Sequence, residues 1–573
     1  MSNLSFKWEL LSFIPLLAVI YMIFNAAYHN SDPQILNWNL VSQNSLHPLP
    51  NQEIITIDNF NLQSDFNLYN IYPYNDVNKT EFNNWIEKQF HISFNKILLN
   101  IADPILNNDL IENDNVTPGA NLASTSKKHP DYFYQWIRDG AITINSLISH
   151  LNEFDSFQNE TLQKVVENYI KNNYHLQRLD NWSGKFNDSS DPLNKFKNLG
   201  EPKFHVDSTP FNQVWGRPQN DGPALRIISI DKFIKSLNNH GKQFIQTDEI
   251  IKSTRDIYKL IIKLDLKFII ANWNLENFDL WEEVNSFHFF TSLTQLKALK
   301  IGLKYFKNFN DEDLEFGENL QTVLIDLTKF IYEDSGFINY KLNHIVETPS
   351  FLHERSGLDA AIIIGSLITH DDFDDVVPFD VNDGLILNTL SELIKTMKYL
   401  YPINHSKINL NLGVALGRYP EDIYDGYKTS EGNPWFLTTL SASELLFKLI
   451  ANLYNLKQDL IIDSSNQHFY YNNVIELNSI YSNSPLIKHS NGHDLILKIP
   501  YNSLAFNQTI GNLFAFGDSF LEIIREHVSN DGSISEQFNK YTGFMQGAEN
   551  LTWSYGNYWN AYKWRQRAFN LIG

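Results

Sequence analysis

The sequence predicts an all-α fold, and two features of its hydrophobic pattern support this prediction. First, apolar residues recur at spacings of three and four over many segments, each long enough for an amphipathic helix. Second, few segments alternate apolar and polar residues in the way of a half-buried β-strand. We expect about a dozen helices, separated by long loops rich in Trp, Gly, Pro and charged residues. Such loops are typical of functional segments held by a rigid scaffold.

The composition is that of a large folded protein and excludes several functional classes. The 573 residues are 43% hydrophobic and 14% aromatic, which suffices for an extensive core. The net charge of -21 makes nucleic acids and anionic membrane surfaces unfavourable partners, because their phosphates would be repelled. A neutral glycan is compatible with this charge. The absence of Cys excludes disulfides, thiol nucleophiles and Cys-ligated metals.

The first 30 residues predict a membrane-targeting segment. Leu10–Tyr28 carries no charge and is mostly apolar, and as a helix it would be about 28 Å long, enough to cross a bilayer core. The candidate cleavage site is poor, so we favour an uncleaved signal anchor over a cleaved signal peptide. A buried soluble helix is the third interpretation. Lys7 before the segment and Asp32 after it favour placement of the remaining chain away from the cytoplasm.

Residues 31–75 are Asn-rich and interrupted by Pro, which predicts a stem or a segment that wraps around the rest of the chain. Residues 76–573 then form one predicted helical domain. Asn-X-Ser/Thr sequons are consistent with an outward location, although they arise readily by chance in an Asn-rich sequence. These sequons are at Asn78, Asn115, Asn159, Asn181, Asn187, Asn404, Asn507 and Asn550.

Helical periodicity begins near Glu81 and recurs to the end of the chain. The clearest segments are Phe82–Leu98, Ala141–Leu151, Leu162–Tyr174, Leu225–Leu237, Ile257–Ile270, Phe290–Phe306, Leu320–Tyr332, Leu385–Leu400, Leu437–Leu453, Leu513–Val528 and Trp553–Ala568.

Five loop regions between these helices concentrate aromatic, Arg and carboxylate side chains. An aromatic ring can stack on a pyranose, and Arg and carboxylate groups can bind its vicinal hydroxyls or move its protons. A structural alternative exists for the individual loops: a solvated acidic turn for Phe278–Val284, a helix N-cap for Asp139, and solvated surface for Glu536. The regions are 131–140, 199–226, 278–284, 417–436 and 531–555.

Other chemistries find no support in the sequence. The 17 His residues are scattered and form no metal-binding pair, and neither a phosphate-binding Gly loop nor a Gly-X-Ser-X-Gly nucleophile motif is present. We therefore expect neither a metal nor an organic cofactor.

Taken together, the loops resemble glucoamylases, the glucan 1,4-α-glucosidases of glycoside hydrolase family 15. Their motifs occur in the family's order, from roughly residue 70 onward, and look closest to the yeast enzymes. The motifs are Tyr-Phe-Tyr-Gln-Trp-Ile-Arg-Asp, Leu-Gly-Glu-Pro-Lys-Phe, Trp-Gly-Arg-Pro-Gln-Asn-Asp-Gly-Pro-Ala-Leu-Arg, Asp-Leu-Trp-Glu-Glu-Val, Gly-Arg-Tyr-Pro-Glu-Asp, Gly-Asn-Pro-Trp-Phe, Ser-Glu-Gln and Leu-Thr-Trp-Ser-Tyr.

The resemblance implies an (α/α)6 barrel of six inner and six outer helices, with the active site at one mouth. It also implies exo-hydrolysis of α-1,4-glucans from the non-reducing end, with inversion to β-D-glucose and slower cleavage of α-1,6 bonds. The chain ends soon after Trp564. We therefore expect no C-terminal starch-binding domain, which favours soluble oligosaccharides or glycogen over granular starch.

Position by position, the resemblance implies that Glu282 is the general acid and Glu536 the general base. Arg138 and Asp139 match a clamp on the terminal glucose, and Arg418 matches another hydroxyl contact. The other implied binding or supporting residues are Tyr132, Trp136, Trp215, Arg217, Asp279, Trp281, Glu283, Asp422 and Trp435.

These roles make physical demands. An inverting glycosidase needs its two carboxyls about 6.5–9.5 Å apart, so that a water fits between the base and the sugar. Glu282 has to keep its proton, which the neighbouring carboxylates Asp279 and Glu283 would favour by repulsion. Glu536 has to be ionised, which we expect a polar Ser-Glu-Gln turn to permit.

Two rival functions remain open at this stage. One is a trehalase or another α-glucosidase on the same scaffold, and the other is an anchored glycan-binding protein without turnover. We expect a monomer in the secretory pathway. The predicted domain is lumenal or extracellular if the N-terminal segment is an anchor, and secreted or vacuolar if it is cleaved.

Overall fold

The computed structural model describes residues 52–58, 76–155, 157–246, 248–339, 341–371, 377–475 and 494–572. The predicted anchor Leu10–Tyr28 and most of the predicted stem lie outside these residues.

In chain order the helices are α1 (Asp76–Leu99), α2 (Asn108–Asp114), α3 (Ile137–His150), α4 (Glu160–Leu176), α5 (Asp221–Asn239), α6 (Thr254–Ile257), α7 (Lys263–Asn272), α8 (Phe289–Asn308), α9 (Leu314–Lys329), α10 (Ala360–Thr369), α11 (Gly384–Leu400), α12 (Phe436–Leu456), α13 (Gln467–Asn473), α14 (Leu504–His527) and α15 (Thr552–Ile572).

Six of these helices form a closed inner ring. Each packs against the next in the order α3, α5, α8, α10, α12, α15, and α15 returns to α3. A second set lies outside, where α1, α4, α7, α9, α11 and α14 pack respectively on α15, α3, α5, α8, α10 and α12. The fold is therefore an (α/α)6 barrel, which confirms the predicted all-α class and the implied topology.

The inner helices are buried on nearly every side, because outer helices cover one side and ring neighbours cover the others. In α12 every residue from Phe436 to Leu453 is buried. This helix is long and apolar enough to cross a membrane by composition, yet its most apolar window is wholly buried within the protein. A helix that is hydrophobic all round is expected at the centre of a large domain.

Short strands accompany the barrel. Strands β1 (Gln52–Thr56), β8 (Leu460–Ile462) and β9 (Asp494–Ile499) form a three-stranded sheet in the order β1-β9-β8, with β1 parallel to β9. β1 lies in the segment predicted as a stem or wrapping segment, and its pairing ties that part of the segment to the barrel. The remaining strands form two-residue pairs: β2 (Gln135–Trp136) with β3 (Lys203–Phe204), β4 (Asn277–Phe278) with β5 (Asn285–Ser286), β6 (Ile338–Asn339) with β7 (His344–Ile345), and β10 (Gln537–Phe538) with β11 (Met545–Gln546).

Candidate active site

The site lies where the N-termini of the inner helices meet. Each inner helix begins directly after a loop. Side chains in these loops and in the first turns of the helices bind those of neighbouring helices in the ring. Arg138 at the start of α3 binds Asp221 at the start of α5, and Trp281 before α8 binds Asp359 before α10. Four of the five motif regions lead directly into inner helices, and the fifth, 278–284, lies shortly before α8. The barrel therefore gathers motifs that are far apart in sequence.

Glu282 occupies the tight loop between β4 and β5. Its backbone has φ +68°, a left-handed conformation that a residue with a side chain rarely adopts. Asp279, which is buried, stabilises this loop: its Oδ1 accepts hydrogen bonds from the N–H groups of Glu283 at 2.7 Å and Val284 at 2.8 Å. Strained residues persist where surrounding contacts over-determine them, and they cluster at functional sites.

Three donors converge on one oxygen of Glu282. Its Oε1 accepts from Trp136 Nε1 at 2.8 Å and Gln219 Nε2 at 3.0 Å, and Arg138 Nη2 lies 3.4 Å away. Trp136 and Arg138 were predicted for the site, whereas Gln219 was not singled out from its motif. The carboxyl is thus oriented through one oxygen by fixed groups from two other loops.

Arg138 is itself held by a buried network. Its Nη1 donates to Gln219 Oε1 at 2.9 Å and Asp221 Oδ2 at 2.8 Å, and its Nε has no hydrogen-bond partner among the described residues. Asp139 lies beside it, with its Oδ2 3.9 Å from Arg138 Nε. Burial raises the pKa of Asp139 to about 6, against the opposing charge of Arg138. The N-cap alternative for Asp139 is wrong, because α3 already begins at Ile137.

Lys203 lies in a cage of four aromatic rings next to this network. Its Nζ is 3.7 Å from the ring centroid of Trp215 and 4.3 Å from that of Trp136, and the rings of Tyr134 and Phe211 complete the cage. Burial lowers the pKa of Lys203 to about 8, although the charge of Glu282 favours the ammonium. Lys203 therefore fixes the rings that border the predicted acid.

The Glu283 carboxylate binds two arginines, Arg418 and Arg355. Its Oε1 accepts from Arg418 Nη2 at 2.7 Å, Arg355 Nη2 lies 3.0 Å from its Oε2, and the Tyr419 hydroxyl also donates to it. Arg418 is 3% exposed and also binds both oxygens of Asp422, at 2.8 and 2.6 Å. Burial disfavours the charge of Glu283, but the charges of Arg418 and Arg355 and the Tyr419 hydroxyl together outweigh burial and lower the pKa of this carboxyl.

Aromatic rings surround Arg418. Its guanidinium carbon is 5.3 Å from the ring centroid of Trp281, 5.2 Å from that of Trp435 and 5.3 Å from that of Tyr424. Trp281 and Trp435 lie 5.8 Å apart between centroids, and Trp281 Nε1 donates to Asp359 Oδ1 at 2.9 Å. Burial raises the pKa of Asp359 to about 8. The site is thus a polar pocket with an aromatic wall, which is the lining that a sugar requires.

Glu536 is placed differently from the prediction. The polar Ser-Glu-Gln turn is buried, and Glu536 is 1% exposed. Its Oε2 accepts from the Tyr424 hydroxyl at 3.4 Å, and this hydroxyl lies 3.0 Å from that of Tyr132. Burial raises the pKa of Glu536 to about 8, although the Tyr132 hydroxyl, the Arg418 charge and the Ala548 N–H favour its ionised form. The solvated-surface alternative for Glu536 is therefore wrong, and burial opposes the ionisation that the polar turn was expected to permit.

Two glycines make room for this carboxyl. Gly547 has φ +75°, and a Cβ at this position would lie 2.2 Å from Glu536 Oε2. A Cβ on Gly426 would in turn lie 2.8 Å from the Cα of Gly547. Any side chain at position 547 would displace the carboxyl.

The two predicted catalytic carboxyls are joined by a chain of aromatic side chains. Glu282 contacts the Trp136 indole, whose centroid is 5.6 Å from the Tyr132 ring. Tyr132 meets Tyr424, and Tyr424 meets Glu536. Separate groups therefore bind each carboxyl, and the two can hold different protonation states.

Two further predicted residues, Trp215 and Arg217, have different surroundings. Trp215 packs at 6.1 Å from Trp136 between ring centroids and borders the Lys203 cage. The Arg217 guanidinium makes hydrogen bonds within the protein. It binds both oxygens of the buried Glu201 and donates to the carbonyl of Gln213 at 2.7 Å. The structure does not bring the Arg217 guanidinium to the predicted catalytic carboxyls, which favours a structural role.

Several groups at the site were missed by sequence reasoning. Gln219, Asp221 and Lys203 lie within quoted motifs, so closer reading of those motifs could have found them. Arg355 and Asp359 lie between the motifs, and only the fold brings them to the site. Within the part of the chain that the structure describes, no group of three or more His, Asp or Glu side chains could hold a metal ion.

Comparison with known proteins gives a consistent result. The profile of the glycosyl hydrolases family 15 matches residues 101–563. The chain is 43% identical over 491 residues to the intracellular sporulation-specific glucoamylase of Saccharomyces cerevisiae, covering 85% of each chain. It is 40% identical over 502 residues to a glucoamylase of Saccharomycopsis fibuligera, covering 86% of this chain and 92% of that one.

Solved structures are similar over the same extent. A glucoamylase structure from Saccharomycopsis fibuligera superposes with a TM-score of 0.77 at 40% identity, covering 86% of this chain and 96% of that chain. A glucoamylase structure from Hormoconis resinae superposes with a TM-score of 0.68 at 30% identity, covering 84% and 73%.

Proposed function

The chain belongs to the glycosyl hydrolases family 15, and on that premise we propose that it releases β-D-glucose from the non-reducing ends of α-1,4-glucans. It is an exo-acting hydrolase of the glucoamylase type, acting on starch, glycogen or maltooligosaccharides and more slowly on α-1,6 bonds. The observation that supports the proposal is the chain of aromatic side chains that links two differently bound carboxyls, Glu282 and Glu536.

In the proposed reaction Glu282 is the general acid. It protonates the glycosidic oxygen as the bond to the leaving chain breaks. Trp136, Gln219 and Arg138 orient its carboxyl through Oε1, and the strained backbone of its loop aims the group. The other oxygen is left free of these three donors to carry the proton.

Glu536 is the general base and takes a proton from the water that attacks the anomeric carbon. It acts in its ionised form, which hydrogen bonds from Tyr132 and Tyr424 and the charge of Arg418 favour against burial. Water entering with the substrate would add further donors to this carboxylate. Attack from the base side and departure on the acid side invert the anomeric centre.

The remaining predicted residues bind the sugar. Arg138 and Asp139 lie beside the acid and can pair with hydroxyls of the terminal glucose. Arg418 and Glu283 form a fixed ion pair in front of the Trp281 and Trp435 rings. A buried, pre-formed arrangement of this kind binds a polar substrate without reorganising, which is the main source of electrostatic catalysis.

We further propose that the chain is a monomeric glycoprotein of the secretory pathway, anchored by its N-terminal segment or released by cleavage. Exposed sequon residues such as Asn115, Asn187 and Asn507 support glycosylation. Asn404 is 1% exposed, and its amide donates to the carbonyls of Met397 and Ala415, so this sequon is unsuited to carry a glycan in the folded protein. Glycopeptide mapping of the secreted or membrane-bound protein tests these assignments.

The proposed reaction is tested by proton NMR of the anomeric signals while the purified protein acts on maltotriose. We expect β-glucose to appear first, with α-glucose arising later by mutarotation. Initial α-glucose would contradict the inverting pair. Glucose released only from trehalose would establish the trehalase alternative, and binding of maltose without hydrolysis would establish the glycan-binding alternative.

A further inference from the structure

A large aromatic side chain is exposed beside Arg217, which lies in the motif region that also carries Trp215. Trp182 is 56% exposed. It occupies the tight turn Asn181–Gly184, in which the two end residues exchange backbone hydrogen bonds of 3.0 and 3.2 Å. The Asn181 side chain secures the turn, since its Oδ1 accepts from Ser183 N at 3.0 Å and its Nδ2 donates to Asn198 O at 2.9 Å. The turn therefore presents the indole to solvent on an ordered backbone.

The indole is supported from beneath by Arg217. The guanidinium carbon lies 5.5 Å from the Trp182 ring centroid. Arg217 is fixed by Glu201, whose side chain is fully buried, and Ser183 of the same turn donates to Glu201 Oε2 at 3.0 Å. A cation over one side of an aromatic ring leaves the remainder of the ring free for a second partner. The Glu201–Arg217 pair thus makes Trp182 a rigid platform.

The platform is joined to the predicted acid through the loop that carries Arg217. Gly216, its chain neighbour, packs so closely on the acid loop that a Cβ there would lie 3.0 Å from the Glu282 carbonyl oxygen. The acid protonates the oxygen of the leaving chain, so that chain extends from the pocket on the acid side. A glucan longer than a disaccharide therefore leaves the pocket beside the loops that carry Trp215, Arg217 and Trp182.

We propose that Trp182 is an outer binding platform for α-glucan chains, stacking on a glucosyl unit of the leaving chain beyond the pocket. This inference rests on the proposed function, because it takes the leaving chain to lie on the side of Glu282. A pyranose presents an apolar C–H surface that an exposed indole covers well. The platform selects for chain length and takes no part in the bond-breaking step.

The test compares Trp182→Ala with wild type on maltose and on maltoheptaose. We expect maltose kinetics within about 2-fold of wild type, and a KM for maltoheptaose raised about 3- to 10-fold with kcat unchanged, the size of one stacking contact. Trp182→Phe should recover most of the maltoheptaose affinity. Leu193→Ala is the matched control, because Leu193 is an apolar side chain 92% exposed on the same segment, and it should change neither substrate.

The other outcomes distinguish failure of the Trp182 platform from failure of the proposed function. Equal losses on both substrates, or no loss on maltoheptaose, would overturn the platform while leaving the proposed function intact. A wild-type protein that releases glucose from neither substrate would overturn the proposed function and the platform with it. Thermal unfolding of both Trp182→Ala and Trp182→Phe near the wild-type temperature shows that the comparison concerns folded enzyme.

Discussion

The two carboxyls of the pocket are held in opposite ways. Glu282 lies on a strained loop and receives an indole N–H, an amide and a nearby guanidinium at one oxygen. Glu536 lies in a buried turn, where the hydroxyls of Tyr132 and Tyr424 and the charge of Arg418 favour its ionised form against burial. Fixed donors thus orient the Glu282 carboxyl, whereas the Glu536 carboxyl lies in a buried, low-dielectric environment.

In the proposed reaction, this difference lets one site keep two like groups in different roles. Both carboxyls belong to the same residue type, so only their surroundings can separate their behaviour. The acid side uses charged and amide donors from two loops, whereas the base side uses neutral hydroxyls and close packing against Gly547. Changes on the two sides should therefore produce different kinetic signatures.

The largest expected effect comes from removing either carboxyl. Glu282→Gln and Glu536→Gln should each lose at least ~10²-fold in turnover of maltotriose, the low end for a positioned acid or base. An α-glucosyl fluoride needs no proton on its leaving group. Glu282→Gln should therefore keep most of its activity on the fluoride, whereas Glu536→Gln should lose activity on both substrates.

Steady-state kinetics of both variants on both substrates check this assignment. The two variants serve as controls for each other, since each replaces one carboxyl of the same site with an amide. If Glu536→Gln is spared on the fluoride while Glu282→Gln is not, the two roles are reversed. Near-normal turnover of maltotriose by either variant would remove that residue from the mechanism.

The second prediction concerns Arg418, whose charge serves both sides. Arg418→Met leaves the buried Asp422 without its cation and removes one of the two cations that bind Glu283, and we expect a loss of about 3–5 kcal/mol in the free energy of unfolding. Arg355→Met is the matched control, because Arg355 also binds Glu283 but is more exposed, and it should lose less than about 1 kcal/mol. Denaturant unfolding of the two variants measures the difference. Equal losses would mean that burial of Arg418 is unimportant.

The smallest predicted effect concerns the tyrosine hydroxyls on the base side. Tyr424→Phe removes a donor that favours the Glu536 carboxylate, so the pKa of Glu536 should rise further above its ordinary value. Because the base acts ionised, activity increases as pH rises through this pKa. The acidic limb of kcat/KM should therefore move upward, by about 0.5–1 pH unit.

A pH profile of kcat/KM on maltotriose checks this shift. Tyr562→Phe is the control, since its hydroxyl binds Glu87 at 2.6 Å, away from the pocket, and it should leave the profile in place. A downward shift in Tyr424→Phe would contradict the proposed ionised state of the base.

The helical fold was largely readable from the sequence. The predicted segments Leu162–Tyr174 and Leu385–Leu400 fall within the outer helices α4 and α11, which begin one or two residues earlier in the structure. Amphipathic periodicity locates such helices because one side faces a neighbour and the other faces solvent. α10, with the sequence Ala-Ala-Ile-Ile-Ile-Gly-Ser-Leu-Ile-Thr, was missed because it is buried nearly all round and has no polar side to reveal its period. The pairing of β1 with β9 was also missed, since it joins residues more than 400 positions apart.

For the site, the sequence by itself determined which residues are candidates for the chemistry, because the motifs that hold them resemble those of one family and lie in the loops between helices. Tertiary structure alone decided what surrounds them. It buried the turn of Glu536, occupied Arg217 with Glu201, and brought Lys203 and Asp359 to the pocket. The physical reason is that closure of the helical ring sets burial and long-range pairing. The local sequence around a residue does not indicate which side chains hundreds of positions away will contact it.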